Sequence, residues 1–289
     1  METKPKPPWL KIRLPSGATY RRVEVLLHQA RLHTVCQEAH CPNQGRCFSN
    51  STATFLILGD RCTRNCGFCA VGHGPQGPPD PDEPRRVAEA ARSMGLEYVV
   101  VTSVTRDDLP DGGAAHFAKT IREIRAILPQ AKVEVLVPDF KGSEESLSKV
   151  LEAGPHVLNH NLETVLRLYP RVRPQADYSR SLGLLQRARA LAPGVLTKSG
   201  LMLGLGEEPW EVQKVLEDLL DKDCRLLTLG QYLSPSKQHL PVERYVPPEE
   251  FDSWRETGLK MGFSFVASGP LVRSSYNAAE MYRECRKRG

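Results

Sequence analysis

From Ala53 onward the chain alternates short apolar, β-rich runs with helical stretches, and this alternation limits the folds open to it. "TATFLIL" (52–58), "YVVVTS" (98–103), "KVEVLV" (132–137), "HVLNH" (156–160), "LTKSGLML" (196–203), "RLLTLG" (225–230) and "FSFVAS" (263–268) read as strands. Helices are expected over 83–95, 113–128, 144–153, 178–192, 209–222 and 248–261. Glu83 and Pro84 open the first of these, and Gly95 closes it. Strands that are apolar along their length, each followed by a helix, imply a parallel sheet covered by helices. About six or seven such units, without two well-separated halves, predict an α/β fold of the partial (β/α)6-barrel type. Residues before about 53 show little regular pattern and read as an extension, with "METKPKPPWLKIRLPSG" an extended basic arm at its start. In βα barrels the chemistry gathers at the C-terminal ends of the strands. Residues that follow strands are therefore the candidates for function.

Directly after the first strand comes "LGDRCTRNCGFCAVG", which spaces Cys62, Cys66 and Cys69 as C-x3-C-x2-C. Upstream, "VCQEAHCPNQGRC" spaces Cys36, Cys41 and Cys47 as C-x4-C-x5-C. Six of the eight cysteines thus fall within 34 residues, a clustering that favours metal binding over disulfides in a reducing compartment. Thiolates suit zinc or iron–sulfur clusters. A closed zinc site takes four ligands and a cubane cluster normally takes four cysteines, so three leave one position open. An open iron can take a substrate or cofactor, whereas a fully ligated cluster does little beyond electron transfer. Neither triplet has the paired C-x2-C halves of a zinc ribbon. His33, His40 and His73 lie nearby, so zinc stays open for the upstream triplet. Cys224, beside "RLLTL", reads as a buried structural thiol, and Cys285, in a basic C-terminal helix, as incidental.

A formal net charge of +5 is too mild for a dedicated nucleic-acid binder, and no aromatic-interleaved basic motif supports one. An exposed basic face could steer an acidic protein partner. No apolar run approaches the ~18 residues that span a bilayer, and the opening residues lack the apolar core of a signal peptide. A cytoplasmic protein without membrane contact is expected. The nucleophile-elbow pattern G-x-S-x-G is absent, which argues against that hydrolase chemistry.

"CTRNCGFC", with Phe68 before the last cysteine, resembles the signature of the radical S-adenosylmethionine superfamily. "GLMLGLGE" (200–207) matches that superfamily's G-x-[IM]-x-G-x-x-E pattern. The upstream triplet is similar to the auxiliary-cluster motif of the lipoyl synthase family. So are "TATFLILGDRCTRNCGFCAV", "MGLEYVVVTSVTRDDLPDGGA", "NHNLETV", "GQYLSPSKQHLPVERYV" and "ASGPLVRSSYNA", in family order from about residue 35 to residue 279. Asn50 and Ser51 depart from the family pattern, where a glycine is expected.

The resemblance implies two [4Fe–4S] clusters. Cys62, Cys66 and Cys69 would hold one, with S-adenosylmethionine chelating its open iron. Cys36, Cys41 and Cys47 would hold an auxiliary cluster whose fourth ligand is Ser275 of Arg273-Ser274-Ser275-Tyr276. On the residues alone "RSSYN" reads as a helix N-cap. The implied reaction inserts two sulfur atoms at C6 and C8 of an octanoyl chain carried on a lysine of a lipoyl carrier domain. Those C–H bonds have no acidity for a base to exploit, so a 5′-deoxyadenosyl radical abstracts hydrogen, once per S-adenosylmethionine and twice per product. The auxiliary cluster gives up its sulfur and must be rebuilt.

Implied partners are the octanoylated carrier, a reductant protein and an iron–sulfur cluster carrier, with the chain itself a monomer. Candidate S-adenosylmethionine contacts are Thr102, Ser103, Asn161, Glu163, Arg173, Gly204 and Glu207. Arg106 and Asp107 could bind cofactor or hold their loop, and Arg171 could face a carboxylate or the partner's acidic surface. The expected organisation is an extension over 1–52, a partial barrel over 53–268 and a C-terminal segment over 269–289 that covers the barrel mouth. Two other readings remain. One is a biotin synthase-like sulfurtransferase acting on a small free molecule, and the other a non-catalytic iron–sulfur or zinc protein.

Overall fold

The computed structural model describes residues 5–12 and 17–288. Met1–Lys4, Arg13–Ser16 and Gly289, parts of the expected basic arm and tail, lie outside the described residues. The chain divides into two compact units. One comprises residues 12–64 and 70–158; the other comprises 1–11, 65–69 and 159–289.

In the first unit, helix α1 (Ala18–Gln29) leads to strand β1 (His33–Thr34), the short helices α2 (Val35–Glu38) and α3 (Gln44–Ser49), and strand β2 (Thr54–Ile57). The extension is therefore not patternless as expected. Its helical signal is short because α1 buries only Val23 and Leu27, one i,i+4 pair, while other apolar residues such as Val25 face solvent. After β2 come the two-residue strands β3 (Arg61–Cys62) and β4 (Gly72–His73), which pair with each other. Then follow α4 (Glu83–Ser93), β5 (Tyr98–Ser103), α5 (Ala114–Ile127), β6 (Lys132–Leu136) and α6 (Glu144–Glu152). Strand β7 (Val157–Asn159) ends at the boundary between the units.

Strand β1 is antiparallel to β2, with His33 opposite Leu56. The β2–β5 and β5–β6 pairs are parallel, with Phe55 opposite Val101 and Val101 opposite Val135. Phe55, Ile57, Val99, Val101, Val133 and Val135 are fully buried, as the continuous apolar runs require. Phe117, Ile121 and Ile124 of α5 are buried as well, and the Phe117 ring meets Phe140 edge-on at 6.4 Å.

The second unit holds α7 (Tyr169–Val172), α8 (Tyr178–Leu191), β8 (Leu196–Leu203), α9 (Pro209–Asp221), β9 (Leu226–Gln231), α10 (Pro248–Met261), β10 (Phe265–Gly269) and α11 (Ala278–Arg288). Strands β8, β9 and β10 are parallel neighbours, Ser199 opposite Leu227 and Leu227 opposite Val266. Cys224 is completely buried, as expected. Cys285 is also buried, at 7% exposure, because α11 turns it inward; its basic neighbours concealed that in the sequence. The architecture is a mixed α/β chain of parallel βα units, as the alternation predicts. Among the described residues no helix is long and apolar enough to cross a membrane.

Glu83 ties three elements of the first unit together. Its Oε2 accepts from the main-chain N–H of Leu58 at the exit of β2 (2.8 Å) and lies 2.7 Å from His116 Nε2 on α5. Leu58 has φ +70°, a conformation that costs a non-glycine residue energy and that the bond to Glu83 helps to hold. Glu83→Ala strands a buried N–H and should destabilise the chain by about 1–3 kcal/mol. Urea unfolding should show a lower midpoint with an unchanged slope.

Candidate functional site

The C-x3-C-x2-C loop leaves β2 through a positive-φ pair, Leu58 and Gly59. Its first thiol is held within the first unit. Cys62 Sγ accepts from the main-chain N–H groups of Arg64 (3.4 Å) and Thr105 (3.3 Å). Thr63 stitches the same turn to the loop after β5: its N and Oγ1 both donate to Thr105 O, and its Oγ1 accepts from Asp107 N. Arg64 is 5% exposed, and its guanidinium grips Asp107 with two bonds (2.7 and 3.0 Å) and Asp139, beyond β6, with a third (2.6 Å). Two N–H groups aimed at one sulfur suit a thiolate ligand, whose charge they stabilise.

The other two thiols belong to the 65–69 segment of the second unit. Gly67 N donates to Val172 O (2.9 Å), and Leu240 N donates to Gly67 O (3.0 Å). A Cβ on Gly67 would come within 3.0 Å of the Leu240 side chain, so a larger residue would have to displace it. His239 Nε2 lies 3.0 Å from Cys69 O, which can only accept, so Nε2 carries the proton. Ser236 Oγ lies 2.8 Å from its other ring nitrogen. These contacts explain the "SPSKQHLP" stretch as a strap on the cysteine loop, a role that composition does not reveal.

Cys36, Cys41 and Cys47 lie within electrostatic range of one another in the first unit. Burial pushes the Cys36 thiol up to about 12, and the neighbouring Cys41 and Cys47 add to that. Burial likewise pushes Cys47 up to about 11, with Cys41 contributing. The three thiols are close enough to feel one another's charge. Among the described residues, no three His, Cys, Asp or Glu side chains meet around a single-ion site. A cubane presents its irons at separate corners, so cluster thiolates need proximity rather than convergence on one point. The donor set fits an iron–sulfur cluster. Ser275 lies in a turn two residues before Asn277, and it is Asn277 that precedes α11.

The expected cofactor contacts fall into two groups. Several are engaged in loop structure: Thr102 Oγ1 donates to Leu136 O, Arg106 binds Asp108 and the carbonyl of Gly77, and Asp107 binds Arg64. Glu207 accepts from the N–H groups of Gly204 (2.6 Å) and Leu205 (2.9 Å), folding the G-x-M-x-G-x-x-E turn around itself. Burial holds its carboxyl above the ordinary range. Gly204 has φ +100° and faces the Gln231 side chain, so no larger residue fits. Arg171 pairs with Glu243 at 2.9 Å.

The second group has unmet valence. Asn161 Oδ1 and Arg173 Nε are buried without a hydrogen-bond partner in the second unit, as is Ser103 Oγ in the first. Arg173 NH1 donates to the carbonyls of Asn161 and Leu162, and the guanidinium lies close enough to Cys66 to feel its charge. Glu163, at φ +67°, takes a hydrogen bond from Asn161 Nδ2 and bridges to β8. Loss of water raises its carboxyl pKa, against the opposing pull of Arg173, Asn161 and Arg273. Opposite them, a Cβ on Gly200 would collide with Thr228 Oγ1 and come within 3.1 Å of Asn161 Oδ1. Orphaned polar atoms beside a glycine cradle fit a polar cofactor such as S-adenosylmethionine. At the end of β9, a Cβ on Gly230 would strike the Val272 carbonyl, so the 270–273 segment lies directly on that backbone.

Comparison with known proteins follows these features. Residues 56–219 match the model of the Radical SAM superfamily, and residues 1–41 match the N-terminal domain of lipoyl synthase of the Radical SAM family. A lipoyl synthase of Caldanaerobacter subterraneus subsp. tengcongensis is 60% identical over 94% of this chain and 95% of its own. One from Nitratidesulfovibrio vulgaris is 58% identical over 96% of this chain and 92% of its own. Among solved structures, Streptococcus suis SuiB bound to S-adenosylmethionine aligns with a TM-score of 0.55. The alignment spans 82% of this chain and 52% of SuiB at 10% identity, a likeness of fold alone.

The raised thiol pKa values carry a signed expectation. Cys36, Cys47 and Cys224 have folded values of about 12, 11 and 12 against an ordinary 9.0. Their contribution to stability is full below the unfolded value and is lost as pH rises through the folded ones. Urea midpoints of the reduced, iron-free chain should therefore fall between about pH 9 and pH 12. At neutral pH, mass spectrometry should find Cys36 alkylated by iodoacetamide at least about tenfold more slowly than in the denatured chain.

Proposed function

Because the chain belongs to the lipoyl synthase family of the radical S-adenosylmethionine superfamily, we propose that it makes lipoyl groups with two clusters, one of them consumed as the sulfur source. The family reaction is radical insertion of sulfur at C6 and C8 of a protein-bound octanoyl-lysine on a lipoyl carrier protein, which makes the chain a sulfurtransferase. It uses a [4Fe–4S] cluster and S-adenosylmethionine. When bound, that pair supplies the hydrogen-abstracting radical that unactivated C–H bonds demand.

The observation that carries the two-cluster reading is the mutual proximity of the Cys36, Cys41 and Cys47 thiols, apart in sequence from the radical signature. In this reading Cys62, Cys66 and Cys69 hold the radical cluster, and Cys36, Cys41, Cys47 and Ser275 hold the auxiliary one. A serine oxygen is a harder and more labile ligand to iron than a thiolate, which suits a cluster that has to come apart. Asn161, Glu163, Arg173 and Ser103 take the polar groups of S-adenosylmethionine, while Thr102, Gly204 and Glu207 shape the loops around it. Arg173 and the Asn161 amide remove water from the cofactor by replacing its hydrogen bonds.

The extension (1–52), the barrel (53–268) and the C-terminal segment (269–289) divide this work. The first and last supply the auxiliary ligands, and the middle supplies the radical site. A reductant protein delivers electrons, an iron–sulfur carrier rebuilds the auxiliary cluster, and the chain acts as a cytoplasmic monomer.

Anaerobic reconstitution should load about eight irons per chain, two cubanes' worth. With S-adenosylmethionine and reductant, an octanoyl-lysine peptide should gain two sulfurs by mass spectrometry, with no more than one turnover. About four irons would defeat the two-cluster reading. Cys66→Ala should abolish 5′-deoxyadenosine production. Cys41→Ala should retain it and make no lipoylated peptide; a lipoylated product from Cys41→Ala would remove the donor role.

A further inference from the structure

Cys62 differs from an ordinary exposed cysteine in what surrounds its sulfur. Two main-chain N–H groups, from Arg64 and Thr105, point at Sγ, the second from a loop 43 residues beyond Cys62. One main-chain bond, from Thr63 N to Thr105 O (3.0 Å), ties the two loops. Side chains reinforce it: Thr63 Oγ1 lies between Thr105 O and Asp107 N, at 2.9 and 3.0 Å. Arg64 reaches past both to Asp107 and to Asp139, whose carboxylate is completely buried and 75 residues away. Asp139 is itself fixed, accepting from Lys141 N at 3.1 Å. An arginine with two carboxylates is a costly arrangement to bury and rewards only well-made geometry. Its geometry is well made, with three bonds of 2.6–3.0 Å.

Hydrogen bonds to ligand sulfurs, together with local charge, set the potential of an iron–sulfur cluster. An N–H dipole on a thiolate stabilises the more negative, reduced state and so raises the potential. We propose that Thr63 and Arg64, anchored by Asp107 and Asp139, are positioning residues that set the reduction potential of the cluster held by Cys62. They do so by keeping the N–H groups of Arg64 and Thr105 on its sulfur. The inference rests on the radical-cluster reading and extends it to residues that touch neither S-adenosylmethionine nor substrate. Without the clamp the loops still meet through main-chain bonds, but the sulfur loses donors and the cluster becomes harder to reduce.

Two substitutions leave net charge unchanged and so separate hydrogen bonding from charge. Thr63→Val removes the hydroxyl between the loops; Arg64→Lys removes the bidentate fork. The readout is a redox titration of the reconstituted chain, following the electron paramagnetic resonance of the reduced cluster. The radical cluster is identified as the signal that changes when S-adenosylmethionine is added.

Wild type should show such a signal. Its absence would overturn the cluster reading and this inference together. With that signal present, both variants should carry wild-type iron yet show about tenfold less reduced cluster at a fixed applied potential, a shift of about 59 mV for one electron. Unchanged midpoints in both variants would overturn the proposal while leaving the cluster reading intact. Loss of this cluster from both would overturn it equally, assigning the clamp to retention. If only Arg64→Lys loses iron, the Thr63→Val midpoint decides.

Discussion

Parallel pairing sends the exits of the strands it joins to the same edge of the sheet, and the chemistry of this chain depends on that constraint. In the first unit the exits of β2, β5 and β6 deliver, in turn, the turn bearing Cys62, the loop bearing Thr105 and Asp107, and Asp139. Residues 43 and 75 positions apart can share one ion-pair network because the strands carry them side by side. In the second unit β8, β9 and β10 deliver the Gly204–Glu207 turn, Gln231 and the segment that leads to Ser275. An antiparallel sheet would scatter the same residues over two edges.

The two thiol triplets are treated differently by their surroundings. Cys62 is partly exposed, and its sulfur receives two main-chain hydrogen bonds. Cys36 and Cys47 are desolvated, which favours neutral thiols when no metal is present. Under the proposed two-cluster reading, loading the upstream triplet would have to expel protons from buried sulfur, which would tie its occupancy to pH.

The strands were legible because they are apolar along their whole length, and the helices because turn residues bound them. Helix α1 was not, since two buried residues make too short a stripe to announce a period. The cysteines were legible from spacing alone. Their supports were not: Arg64 sits between two cysteines and looks like any loop arginine, because its partners are distant in sequence. His239 is hidden for the same reason, 170 residues from the carbonyl it meets. Thr102 and Glu207 were expected as cofactor contacts, and Asp107 as a cofactor contact or a loop residue; each is found engaged with neighbouring loops. Asn161 and Arg173 keep buried polar atoms unmet, a distinction that appears only once side chains have positions.

Gly230 places the segment that leads to Ser275 by leaving room rather than by making a bond. The atom that a side chain there would strike is the main-chain carbonyl of Val272, which every amino acid possesses. No choice of residue at position 272 can therefore restore the fit. An obstacle made of backbone has no second-site suppressor among side chains, so a change at Gly230 could be rescued only by re-routing the chain itself.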